Sequence, residues 1–191
     1  MFSFSSENGV KKKSRDEVGM RVSSIFAGLV LPLAVIPWEL LAYSFSRSLY
    51  AGAIVVVIGE MVGLYVARLI TRRKANLRIN KGMTLSIPVI LLMIAFPPPL
   101  PIGFRYPLLV TPAVIGGICE ELIYRDYILE TGKYDNYIQA FLWSLNHALD
   151  GPVFVAYTFI LGIFLGIISK RFGVFPCIIA HVSSNVLRLF L

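Results

Sequence analysis

Long apolar runs constrain this chain more than any other feature of its sequence. Between residues 49 and 70 the only charged side chains are Glu60 and Arg68, and similar runs recur along the chain. A transmembrane helix needs roughly 20 mostly apolar residues. Hydrophobic residues make up 57% of the chain and charged residues 15%, whereas a soluble domain is about a quarter charged. We therefore predict an integral membrane protein of the all-α class, which excludes a disordered, collagen-like or disulfide-stapled chain.

The runs predict a polytopic transmembrane bundle of about seven helices, with six or eight as alternatives. Residues 1–20 are polar and basic, so we expect a cytoplasmic N-terminal segment followed by one transmembrane helical domain, 21–191. The predicted spans are Val22–Tyr43, Leu49–Ile70, Met83–Phe96, Tyr106–Leu129, Tyr137–Leu149, Val153–Ile168 and Val174–Leu191.

The distribution of cations predicts the orientation. A net charge of +7 would suggest nucleic-acid binding in a soluble protein, but here Lys and Arg cluster between the apolar runs. With the N-terminus in the cytoplasm, fifteen of the eighteen Lys and Arg residues lie on the inner side, and only Arg47, Arg105 and Arg188 lie outside. Cytoplasmic loops of membrane proteins carry such an excess of cations. We expect a multi-pass protein, of the cytoplasmic membrane if the source is prokaryotic, with no nucleic-acid partner.

Ionisable side chains are concentrated in the fourth predicted span. They are costly in lipid and mark functional sites by default. Arg125 follows Glu121 by one helical turn and can pair with it. Glu120 points about 100° away on the same helix and is left for another task, such as that of a general base. An ion pair that only holds the bundle together would explain Glu121 and Arg125 but not Glu120.

The only two histidines of the chain also fall inside predicted spans, His147 in the fifth and His181 in the seventh. Trp143 lies one turn before His147, and Asn185 one turn after His181, so each pair shares a helix face. At 1.5 Å per residue, Glu120, His147 and Asn185 lie about 15–18 Å from the cytoplasmic ends of their helices, and His181 about 12 Å. Packing residues have no reason to share a depth. We predict one site near the membrane midplane.

Three short motifs resemble those of the CAAX-protease and bacteriocin-processing family, also called the Abi family. Residues 120–125, Glu-Glu-Leu-Ile-Tyr-Arg, match its Glu-Glu-x-x-x-Arg signature. Residues 143–147 resemble its aromatic residue four positions before a histidine, and residues 181–185 resemble its His-x-x-x-Asn. Two positions depart from the family pattern: Trp143 stands where phenylalanine is usual, and Asp126 where glycine commonly follows the arginine.

The resemblance implies an intramembrane endopeptidase, similar to CAAX prenyl proteases, with a catalytic core of about 106–191. Its substrate would be a protein or peptide in contact with membrane lipid, cleaved near the carboxy terminus and prenylated in the eukaryotic members. By the same resemblance, Glu120 and His147 activate a water, and His181 and Asn185 stabilise the oxyanion. The implied structural supports are Glu121, Arg125 and Trp143.

The residues leave metal dependence open. Glu120, His147 and His181 are a suitable three-ligand set for a catalytic Zn²⁺ with one open position. However, the chain has no His-Glu-x-x-His pair on one helix, so spacing alone does not indicate zinc. The family resemblance is compatible with a metalloprotease and with a glutamate-activated water that needs no metal.

Two other functions remain as alternatives to the protease. One is a non-catalytic immunity or scaffold protein of the same fold, against which the complete motif set argues. The other is a proton-coupled transporter, since buried Glu and His residues can relay protons. No inverted repeat or pair of broken helices favours the transporter. We expect Glu60, which lies outside the motifs, to serve structurally, or else to line a substrate entrance.

Overall fold

The computed structural model describes residues 22–33, 36–37, 40–41, 44, 49–77, 79, 81–96, 110–129 and 134–190. Within these ranges the chain forms seven α-helices and no strand, in agreement with the predicted all-α class. The basic segment 1–20 lies outside the described residues. The helices are α1 (Val22–Leu33), α2 (Leu49–Thr71), α3 (Ser86–Ala95), α4 (Val110–Glu121), α5 (Asp135–Leu145), α6 (Pro152–Phe172) and α7 (Phe175–Arg188).

The fifth predicted span, Tyr137–Leu149, extends past the end of the observed helix. Helix α5 ends at Leu145, and a short 3₁₀ turn, Ala148–Asp150, leads to α6. Gly151 has a φ of 98°, a conformation that L side chains rarely adopt, and Pro152 begins α6 because its missing N–H is not needed there. His147 therefore lies in the turn between two helices and not within a transmembrane helix.

Two of the described helices are long and apolar enough to cross a membrane, Tyr50–Thr71 and Pro152–Phe172. The outer face of α2 supports this placement, because Ile54, Ile58 and Tyr65 recur at helical spacing and are each more than half exposed. Apolar stripes of this size are not left facing water in soluble monomers. These side chains are placed to contact lipid.

Helix α4 forms the centre of the packing that builds the site. It packs against α2 and α7, while α5 packs along α6 and α3 along α7. Without a break, α4 widens after Glu121 into a π-helical segment, Leu122–Ile128. Such segments are rare and occur frequently at functional sites. Within this one, the hydroxyl of Ser169 on α6 donates to the carbonyl of Arg125 at 2.8 Å.

Candidate active site

The Glu120 carboxylate lies at the inner end of a cavity and is 7% exposed. Its Oε2 accepts a hydrogen bond from Nε1 of Trp143 at 2.5 Å. Nε2 of His181 lies 3.9 Å from the same oxygen. Glu120 therefore has a neutral donor on one side and an imidazole on the other, and it faces open volume.

The neighbouring carboxylate of Glu121 is completely buried and lies between two partners. Its Oε1 is 2.9 Å from Nδ1 of His181, and its Oε2 is 3.3 Å from Nε of Arg125. The contact with Arg125 is an ion pair by distance, although its angle is poor for a hydrogen bond. The two adjacent glutamates thus have different surroundings: one lines the cavity, and the other ties α4 to α7.

Trp143 is the side chain around which the site is packed. It is 1% exposed, and the guanidinium of Arg125 lies 3.9 Å from its ring centroid, a cation–π contact. The edges of the His147 and His181 rings meet it at centroid distances of 5.7 and 5.5 Å. The indole contacts both histidines and donates its N–H to Glu120, and an aromatic ring without an N–H donor would lack the contact with Glu120.

The His147 ring is held from one nitrogen only. Nδ1 lies 3.2 Å from Oδ2 of Asp150, while Nε2 is buried and has no hydrogen-bond partner among the described residues. Phe154 packs against the ring at a centroid distance of 4.7 Å. Nε2 is therefore the ring nitrogen that no described group of the protein holds.

Two cavities meet at Glu120 and His147. The first, of about 170 Å³, is also lined by His181 and Asn185. The amide nitrogen of Asn185 makes a long contact of 3.5 Å with the carbonyl of Ala113. The second, of about 190 Å³, continues toward α1 past Leu31 and Leu149. Since Glu120 and His147 line both, a substrate that reaches either cavity meets these two groups.

The structure adds two residues that the motifs do not include. Glu60 on α2 lines both cavities and lies beside Gly116 of α4, so it belongs to the wall of the site. Asp150 contacts His147, and the Gly151-Pro152 break was the sequence signal that could have placed it there. The sequence marked Glu60 only as a carboxylate inside an apolar run, and its approach to α4 depends on helix packing.

The described residues do not fit a catalytic zinc site. Within them, no three His, Cys, Asp or Glu side chains are arranged to hold a metal ion. The candidate ligands Glu120, His147 and His181 share a cavity without forming a coordination geometry.

Comparison with known proteins agrees with the motifs. Residues 102–187 match the model of the family described as type II CAAX prenyl endopeptidase Rce1-like, and this range contains all three motifs. The match agrees with the resemblance: residues 102–187 are similar to that family, whose members are membrane-embedded proteases. No curated protein and no solved structure matches the chain.

Proposed function

We propose that the protein is an intramembrane endopeptidase that hydrolyses a peptide bond near the carboxy terminus of a membrane-associated or lipidated protein or peptide. One observation carries the proposal: Glu120, His147, His181 and Asn185 line a single cavity. They come from α4, the turn after α5, and α7, so only the folded chain brings them together. The family match to the same region supports hydrolysis as the chemistry.

In the proposed reaction, Glu120 and Nε2 of His147 hold a water molecule through its two O–H groups. Glu120 takes one proton while the water oxygen bonds to the carbonyl carbon and the π electrons move to the carbonyl oxygen. The C–N bond then breaks, and the leaving nitrogen takes the proton from Glu120. The second water proton leaves the new carboxyl group through His147, which yields a carboxylate and an amine.

Two other residues that line the cavity, His181 and Asn185, are the proposed oxyanion donors. Asn185 has an N–H besides the one directed at Ala113. His181 keeps its Nδ1–H directed at Glu121. It can donate from Nε2 as well only if both ring nitrogens carry a proton. The Glu121 carboxylate stabilises that cation, so we propose that Glu121 supports His181 as well as Arg125.

The test of the proposal is a Glu120→Gln substitution, which keeps an oxygen to accept the Trp143 N–H but removes the base. Turnover should fall by about 10²–10⁴-fold, the usual contribution of a general base. The measurement is mass spectrometry of peptides released from membrane-anchored substrates with and without a prenylated cysteine near the carboxy terminus. Glu121→Gln should instead reduce the amount of folded protein, since it leaves a buried arginine uncompensated.

A matched control is Asp126→Asn, which makes the same carboxylate-to-amide change. Asp126 accepts the backbone N–H of Asn76 and lines neither cavity. This variant should cleave at the wild-type rate. Near-normal cleavage by Glu120→Gln would contradict the proposal, and absence of cleavage by every form would favour the immunity or scaffold protein.

We propose further that the reaction needs no metal, because no three His, Cys, Asp or Glu side chains among the described residues are arranged to hold one. Protein freed of metal by a chelator, with metal content checked by elemental analysis, should cleave at the untreated rate. Loss of activity on chelation, with recovery on addition of Zn²⁺ and loss of bound zinc in His147→Ala and His181→Ala, would show that the ligands rearrange to bind metal.

A further inference from the structure

The turn after α5 brings a carboxylate to the outer nitrogen of His147. The backbone N–H of Asp150 donates to the carbonyl of His147 at 3.1 Å, which closes the turn. The side chain of Asp150 then folds back, so that Oδ2 lies 3.2 Å from Nδ1 of the ring. Gly151 and Pro152 end the turn and begin α6. Four consecutive residues thus build the contact locally, and it lies outside the motifs of the family resemblance.

This contact determines which nitrogen of His147 carries the proton. An ionised carboxylate only accepts hydrogen bonds, so Nδ1 must be the donor and the lone pair of the neutral ring is on Nε2. Nε2 is the buried atom without a partner, and the ring lines both cavities beside Glu120. Arg188 of α7 lies close enough to Asp150 for electrostatic interaction.

We propose that Asp150 is a positioning residue for His147: it fixes the tautomer whose Nε2 accepts from the water, and it stabilises the imidazolium formed when Nε2 takes a proton. The proposal rests on the proposed function for the role of His147 in turnover. The tautomer itself is a property of the resting protein and can be measured without a substrate.

Two substitutions separate this role from a structural one. In Asp150→Asn the amide can turn its N–H₂ toward Nδ1, which would move the ring proton to Nε2 and direct an N–H at the water. In Asp150→Ala nothing opposes either tautomer, because Asp150 is 35% exposed and solvent can replace the carboxylate. Asp150→Asn should therefore lower kcat more than Asp150→Ala does. A residue that only stabilises the turn would show the reverse order, since asparagine preserves more of the contact.

The experiment combines nitrogen NMR with kinetics on the full-length protein in detergent micelles or lipid nanodiscs. The chain has only two histidines, so labelling histidine with the heavy nitrogen isotope gives two pairs of ring-nitrogen signals, one pair for each imidazole, assigned with His147→Gln. We expect the wild-type His147 ring to be protonated at Nδ1, and Asp150→Asn to shift the proton to Nε2 while His181 is unchanged. Asp150→Asn should lower kcat by about 10²-fold, a typical loss for a misoriented reactant, with KM nearly unchanged. Asp126→Asn is the control for the charge change.

Each result decides a different claim. A wild-type ring protonated at Nε2, or an Asp150→Asn variant with an unchanged tautomer, would overturn the proposal even if no substrate were cleaved. If Asp150→Ala lowered kcat as much as Asp150→Asn or more, Asp150 would be a structural residue only. A tautomer change without any change in kcat would leave the contact in place but remove His147 from the reaction, and so would contradict the proposed function. If Asp150→Asn does not fold, the tautomer of His147 in the wild-type protein decides whether the proposal stands.

Discussion

At the scale of single residues, the two adjacent glutamates show how one helix supplies two kinds of carboxylate. Glu121 is sealed between Arg125 and His181, whereas Glu120 has one donor, Trp143, and faces the cavity. A buried charge without a partner costs several kcal/mol, so Glu121 must keep its partners. Glu120, which lines the cavity, keeps one side open to a molecule bound there. The difference lies in the neighbours and not in the glutamates.

A prediction at the residue scale concerns Asn185, for which we propose the role of oxyanion donor. Negative charge appears on the carbonyl oxygen only during the reaction, so a donor placed there lowers the barrier more than it strengthens binding. Asn185→Ala should lower kcat by roughly 10²–10³-fold, about 3–4 kcal/mol, with KM almost unchanged. Steady-state kinetics measures both constants.

Asn185→Asp should be at least as harmful as the alanine variant, because it sets a carboxylate against the developing oxyanion. A variant with normal kcat and a raised KM would assign Asn185 to substrate binding instead.

At the scale of elements, α5 and α6 approach closely enough to exclude any side chain at Gly166. A Cβ atom there would lie 2.5 Å from Nε2 of Gln139 and would overlap Oδ1 of Asn136. Both amides are held in place, since Gln139 donates to the carbonyl of Gly162 at 2.8 Å and Asn136 to that of Ile163 at 3.1 Å. Small residues and interhelical hydrogen bonds of this kind join transmembrane helices.

Gly166→Ala should therefore destabilise the protein by about 1–3 kcal/mol, as overpacking does, and should lower Tm. It should also impair turnover, because α5 carries Trp143 against Glu120. The matched control is Gly52→Ala on α2, where a Cβ atom meets nothing within 4 Å. Its Tm, measured in the same detergent, should be unchanged or slightly raised, since alanine favours helix. Equal Tm values for the two variants would contradict close packing of α5 on α6.

At the scale of the whole molecule, the cation distribution predicts which membrane face each connection occupies. The connection after α2 should be cytoplasmic and the turn between α5 and α6 external. Cysteines introduced at the exposed positions Ala75 and Ala148 should react with a membrane-impermeant maleimide from opposite sides. The native thiols, Cys119 and Cys177, are buried and should contribute little background. Labelling of both positions from one side would mean that the predicted order of spans is wrong.

The sequence by itself determined the properties that depend on local spacing. Apolar runs of about 20 residues indicated a helical membrane protein, and the bounds of α2 differ from the predicted span by one residue at its end. The Glu-Glu-x-x-x-Arg spacing placed Arg125 one turn from Glu121, because a helix has a fixed period. The three motifs named the family whose model matches residues 102–187. All of these depend on neighbours along the chain.

Only the tertiary structure decided which groups meet across helices. His181 contacts Glu121 across sixty positions of the chain, Trp143 donates to Glu120 across twenty-three, and Glu60 enters the cavity wall from a helix outside the matched region. Helical periodicity predicts on which face of its own helix a residue lies. It does not predict how the neighbouring helix is rotated or how far it is shifted along its axis, because close packing at glycines and interhelical hydrogen bonds determine these. The sequence also placed the end of the fifth span at Leu149, whereas α5 ends at Leu145 and the 3₁₀ turn Ala148–Asp150 precedes α6.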